Sequence, residues 1–223
     1  MCRQNQEFPL LSARGVSKRQ AMARTKAREP DSAAASDKTE QILQGAMQEF
    51  LTHGYAGTSM DKVAKTGGVS KATVYSYFAD KEGLFAALVQ RLAQKKVHFT
   101  LLDEEPAVAL RFVATTLLDQ VTQEPEFLNF VRLVIAESGR FPQLAQTFVK
   151  NLAKPGIERL TQYLASHPEL KLPDAEATAR IFIGSLVYFQ LTQHLMHGKD
   201  IIPMERDRLI DGLLHLVLSR KWV

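Results

Sequence analysis

The stretch Met60-Asp61-Lys62-Val63-Ala64-Lys65-Thr66-Gly67-Gly68-Val69-Ser70-Lys71-Ala72-Thr73-Val74-Tyr75-Ser76-Tyr77-Phe78 decides how this sequence folds. It reads as two short helices joined by a tight turn at Gly67-Gly68. Ala64 supplies the small residue needed where two helices cross, and Gly68 supplies a residue that tolerates positive φ in the turn. Val63, Val69 and Val74 then fill the wedge between the helices, closed from the flanking segments by Phe50 and Phe78. Hydroxyls stand ready to cap both helices, Thr58 and Ser59 before the first and Ser70 before the second, and Asp80 caps the helix that follows.

With its apolar side in the wedge, the second helix turns Lys71, Ala72, Thr73, Tyr75 and Tyr77 outward. Small, polar and aromatic side chains on an outer face suit a helix that enters a major groove. The methyls of Ala72 and Thr73 allow close approach and contact with thymine methyls. Lys71 lies in the first turn, from which a recognition helix reaches bases or phosphate. Tyr75 and Tyr77 can donate to phosphate oxygens, as can Thr58, Ser59 and Ser70 beside the helix N-termini. Lys81 is placed for one more backbone contact. Lys62 and Lys65 read as solvated, and Phe78, Leu84 and Phe85 as core.

Outward from this centre the periodicity stays helical. Ile42, Ala46, Phe50 and Leu51 recur at helical spacing in Lys38–His53, and Gly54 stops that helix. After Asp80, Leu84, Phe85, Leu88 and Leu92 mark one face of a helix that extends towards Phe99. From residue 106 onward, Pro106–Thr122, Glu124–Ser138, Pro142–Ser166, Asp174–His197 and Glu205–Arg220 all carry apolar residues three and four apart. Lys154-Pro155-Gly156 is expected to kink or split the third of these. The fold class is all-α: a small three-helix head with a helix-turn-helix over residues 37–82, joined to a larger helical body over 83–223, which the resemblance described below implies to be a DNA-binding head and a ligand-binding and dimerisation bundle.

The chain has 223 residues and a formal net charge of +4. The first 36 residues hold seven basic and three acidic side chains, so they account for the whole +4. This segment reads as a disordered basic leader with a linker at Pro30–Ser36, and as a possible arm for sequence-independent phosphate contacts. Translation from Met22 would remove most of it. The head from Asp37 to Lys81 is charge-balanced, with five basic and five acidic residues, so composition alone does not flag it.

At these residues the chain resembles the TetR/AcrR family of bacterial transcriptional regulators. The match runs from about Thr39 to Leu88, through GYAGTSMDKVAKTGGVSKATVYSYFADKEGLF (Gly54–Phe85). VRLVIAESGRFPQLAQTFV (Val131–Val149) is similar to the AefR-like subgroup. The resemblance implies that the head binds double-stranded operator DNA, and that the divergent body binds a small molecule and dimerises.

In the body, Phe112, Thr116, Phe130, Arg132, Val134, Phe148 and Tyr188 are the candidate pocket for a largely apolar effector. Arg132 shares a helix face with Asn129, and pairs either with a ligand carboxylate or with Glu137 or another acidic residue of the chain. The candidate dimer interface comprises Ile181, Gly184, Ser185, Tyr188, Leu191 and Leu195 on one helix, with Leu209, Leu213, Leu216 and Val217 on the last. Four helices across a two-fold axis then make the contact. A homodimer is needed physically, because one small head buries too little DNA for tight, selective binding. The fourth helix, Asp80 to about Leu101, is the natural transmitter between reader and body.

Other classes are excluded or unsupported. No Gly-rich phosphate loop and no nucleophile–base constellation points to an enzyme. His194 and His197 lack a carboxylate or thiol at helical spacing, so no metal is expected, and no cofactor. No run approaches the roughly 18 apolar residues of a membrane helix, and no secretory signal is present. With Cys2 the only cysteine, a reducing, cytoplasmic setting is expected. The reading is a ligand-responsive regulator, more a repressor than an activator. The alternative is a ligand-independent DNA-binding or protein-binding helical module.

Overall fold

The computed structural model describes residues 29–96, 104–123 and 125–219. The basic side chains from Arg3 to Arg28, Met22 and Phe99 lie outside the described residues. The chain divides into two compact units, residues 1–40 and 41–223. In the first, residues 29–40 are helical, so helix begins inside the stretch expected to be a linker. Pro30 suits a first helical turn, where its missing N–H costs nothing, and Ala33, Ala34 and Ala35 are the strongest helix formers.

Among the described residues every regular element is helical: α1 (Glu29–Gly57), α2 (Met60–Thr66), α3 (Lys71–Tyr77), α4 (Lys81–Lys96), α5 (Pro106–Gln123), α6 (Pro125–Glu137), α7 (Pro142–Phe148), α8 (Lys154–Ala165), α9 (Ala175–Gln190) and α10 (Arg206–Leu218). Local chemistry explains most boundaries. Gly54 adopts φ 70°, ψ 172° and breaks α1 there. Ser59 caps α2, Ser70 caps α3 and Asp174 caps α9, each accepting from the backbone N–H three residues on. Asp80 Oδ1 accepts from Gly83 N at 2.7 Å at the start of α4.

The kink or split expected at Lys154-Pro155-Gly156 takes the form of a π turn just before Pro155, which divides the stretch into α7 and α8. Val149–Ala153 widens into a π-helical turn between α7 and α8, with Lys154 N donating to Val149 O. A wider turn makes room for the proline ring and for the donor it lacks. A second π turn, Leu191–Leu195, ends α9.

The described residues from 41 onward pack around two hydrophobic cores. The first gathers the head with α4, α6 and α7, and includes Ile42, Phe50, Tyr55, Val63, Val74, Phe85, Leu88, Phe130, Val134 and Leu144. The second gathers α5, α8, α9 and α10. The head therefore does not close its core at residue 82. Phe85 stacks on Phe130 at 5.3 Å, and Tyr55 meets Phe141 edge-on at 5.1 Å. Burying a ring of this size contributes about 2–3 kcal/mol, so this seam is a substantial bond between head and body. Arg206 pairs with Asp119, and Arg111 with Asp211, tying α10 to α5.

Candidate nucleic-acid interface

The turn between α2 and α3 has the conformation its sequence demands. Gly68 has φ 65° with open space where a Cβ would stand, and Val69 N donates to Ala64 O at 3.0 Å. Gly67 serves a different purpose. A Cβ on Gly45, in α1, would meet Gly67 N at 2.7 Å and Gly67 Cα at 2.9 Å. The turn thus rests backbone-to-backbone on α1, a contact that sequence periodicity did not reveal. Glu49, also on α1 and buried, accepts from the Thr66 hydroxyl and holds the end of α2.

Val63 and Val74 are fully buried and Ala64 nearly so, as the wedge requires. Val74 is the single buried side chain of α3; Lys71, Ala72, Tyr75, Ser76 and Tyr77 are exposed and Thr73 is half-buried. The helix therefore stands proud of the domain, which is what entry into a groove about 12 Å wide demands. Lys71 Nζ lies 2.9 Å from the Asp61 carboxylate on α2, and that hydrogen-bonded pairing raises its pKa. Ser59 and Ser70 are exposed at the two helix starts.

Two expected contacts leave this surface. Thr58 is buried and its hydroxyl donates to Gly54 O at 2.8 Å, so it braces the break in α1. Lys81 turns inward: Nζ donates to Tyr55 O at 2.7 Å and Thr58 O at 3.0 Å, and sits 4.3 Å over the Tyr55 ring. Two buried carbonyls and an aromatic face compete for that ammonium more effectively than solvent does. Burial lowers its pKa, partly offset by the nearby Glu137. The Tyr55 hydroxyl is pushed up to about 12 by burial, with Glu82 and Asp80 adding to the effect.

The expected pocket residues do not all come together. Phe130 is fully buried and Val134 nearly so, both in the first core, with Phe148 packed half-buried against it. Phe112 is 53% exposed and Tyr188 62% exposed, and Thr116 is half-buried on α5. Arg132 is spent on the backbone: its guanidinium donates to His194 O at 3.1 Å and Leu195 O at 3.2 Å, capping the π turn that ends α9. A sequence pattern identifies apolar helix faces without saying which core each face joins.

The expected dimer residues divide more favourably. Ile181, Gly184, Tyr188 and Leu216 are exposed, while Ser185, Leu191, Leu195 and Leu209 are half-buried. Leu213 and Val217 belong instead to the second core, because α10 buries that side where it packs on α5. A groove of about 780 Å³ runs beside α9, lined by Ile181, Gly184, Ser185, Tyr188, Met204 and Leu209. Exposed Ile201 and Ile202 continue its apolar character beyond the expected set. No described helix is long and apolar enough to cross a membrane.

A helix-turn-helix with a protruding second helix, carried on an all-helical body, defines a DNA-binding regulator. Residues 42–88 match the bacterial regulatory proteins of the tetR family, and residues 108–220 match the C-terminal domain of AefR-like transcriptional repressors. The chain belongs to the TetR family, with an AefR-like C-terminal domain. Over 60 residues it is 37% identical to the transcriptional repressor AcnR of Corynebacterium diphtheriae, covering 27% of this chain and 32% of that protein. The match thus spans about a third of that relative's length. The flavonoid-responsive regulator FrrA superposes with a TM-score of 0.63 at 29% identity, over 82% of this chain and 98% of its own. A TetR-family regulator from Mesorhizobium loti shares the fold, with a TM-score of 0.66 at 24% identity over 83% and 96% of the two chains. The family and these relatives are transcriptional regulators, not enzymes.

Proposed function

We propose that this chain is a homodimeric, ligand-responsive repressor that leaves a near-palindromic operator when a small, largely apolar molecule binds its body. The observation that carries the DNA-reading half is α3 itself, a short helix with only Val74 buried and Lys71, Ala72, Thr73, Tyr75 and Tyr77 set around its outer surface. In this reading those side chains, with Ser59 and Ser70 at the helix starts, form the DNA contact.

The exposed apolar groove along α9 supports pairing with a second copy. Ile181, Tyr188 and Leu216 are each more than half exposed, an arrangement that gains from burial against the same surface on another chain. A two-fold dimer carries its heads about 34–36 Å apart, one helical turn of DNA. The flavonoid response of FrrA supports an organic effector. Binding in the body then moves α4 and with it the head, so that the two readers no longer fit adjacent grooves.

Selection of duplexes from a random pool with the full chain tests this reading. Enrichment of a near-palindrome with half-sites one turn apart is the expected result. A pool that stays random after repeated rounds, or a half-site without symmetry, rejects it.

A further inference from the structure

We infer that Glu137 and Arg132, both on α6, form a two-ended strut that positions the reading head relative to α9. Each end closes on backbone of a different element. Glu137 Oε1 accepts from Tyr55 N at 3.2 Å and would stand 3.0 Å from a Cβ on Gly54, so it fits against the break in α1. That break leads through Thr58 directly into Ser59, the cap of α2. Lys81 secures the same turn through the carbonyls of Tyr55 and Thr58.

The opposite end is Arg132, little more than one turn earlier on α6. Its guanidinium bonds to His194 O and Leu195 O, with His197 Nε2 3.3 Å away. Asn129 Oδ1 accepts from the same guanidinium at 2.8 Å and fixes its direction. Hydrogen bonds from a charged group are stronger and more directional than neutral ones. The two ends thus bridge the two hydrophobic cores: head and α6 lie in the first, α9 in the second. Hydrogen bonds run from the turn that ends α9, which carries the proposed dimer face, through α6 to Tyr55, four residues before the cap of α2. Glu137 and Arg132 are positioning residues on this account, since neither touches DNA.

This inference rests on the proposed DNA-reading function, and the experiment separates the two. The wild-type chain first selects a duplex from a random pool; failure at that step rejects the function itself. Affinity is then measured for that duplex and for a mixed-sequence duplex, using Glu137→Ala, Arg132→Met, the double variant and Glu137→Gln. Each of the first two is expected to weaken the selected duplex about tenfold, and the mixed one less than about twofold. Once one end of a strut is cut, cutting the other changes little, so the double variant should match the singles rather than show their product. Glu137→Gln keeps an acceptor oxygen for Tyr55 N and should bind as wild type does, with Tyr55 amide exchange still slow. The strut is overturned if either single variant binds the selected duplex unchanged or if the two losses multiply. It is equally overturned if Glu137→Gln loses as much as Glu137→Ala.

Discussion

Gly45 and Gly67 show how much of the reading head depends on atoms that are not there. The two backbones meet at a distance no Cβ can share, so Gly45→Ala forces α1 away from the turn. Overpacking of this kind costs about 1–3 kcal/mol. Gly68→Ala differs, since space is open and only the positive φ is penalised, by about 1–2 kcal/mol. Gly68→Asn should therefore recover much of the loss at residue 68, whereas Asn at residue 45 should be worse than Ala. Urea unfolding midpoints of the four variants check this; equal behaviour of the Asn pair contradicts it. Gly68 was legible in the sequence because its requirement is local. Gly45 was not, because its neighbour in space is 22 positions further along the chain.

At the scale of elements, α6 carries more than its apolar pattern foretold. Phe127, Phe130 and Val134 recur three and four apart and are all buried, so the helix and its inner face were readable. What they pack against was not: the pattern placed Phe130 in an effector pocket, and the fold stacks it on Phe85 beneath the head. Arg132 was open to either a ligand or a structural role and took backbone carbonyls. Phe130→Ala is accordingly expected to cost about 3–5 kcal/mol and to speed amide exchange in residues 41–58. Phe112→Ala, on the exposed side of α5, should stay within about 0.5 kcal/mol of wild type. The reverse order in thermal denaturation would restore Phe130 to a pocket and unseat the shared core. The helix caps fared better. Ser59, Ser70 and Asp80, each expected as a cap, all lie where short polar side chains precede an apolar period, a signal confined to four residues.

For the whole molecule, the sequence marked a helix-turn-helix and a longer helical body, and the seam between them is packed rather than hinged on α4 alone. Tyr55, Phe85, Phe130 and Phe141 form that seam, so a shift in α6 or α7 also reaches the head. The apolar face along α9 is the proposed route to a second copy. Tyr188→Glu, which places a charge in that groove, is expected to give a monomer in light scattering while leaving the helical circular dichroism unchanged. Leu213→Glu should instead unfold the body, because Leu213 lies in the second core. A Tyr188→Glu chain that keeps the wild-type mass, whatever that is, removes this face from the interface.

Whether α3 reads DNA by sequence is decided by the ratio of affinities for a selected duplex and a mixed-sequence duplex at physiological salt. For the wild-type chain this ratio should exceed about 10³. Tyr75→Ala and Lys71→Ala should lower that ratio while leaving the fold intact, since both side chains are exposed. A wild-type ratio near one, with all binding lost by about 200 mM salt, would contradict sequence reading by α3 and leave only the charge of the leader holding DNA.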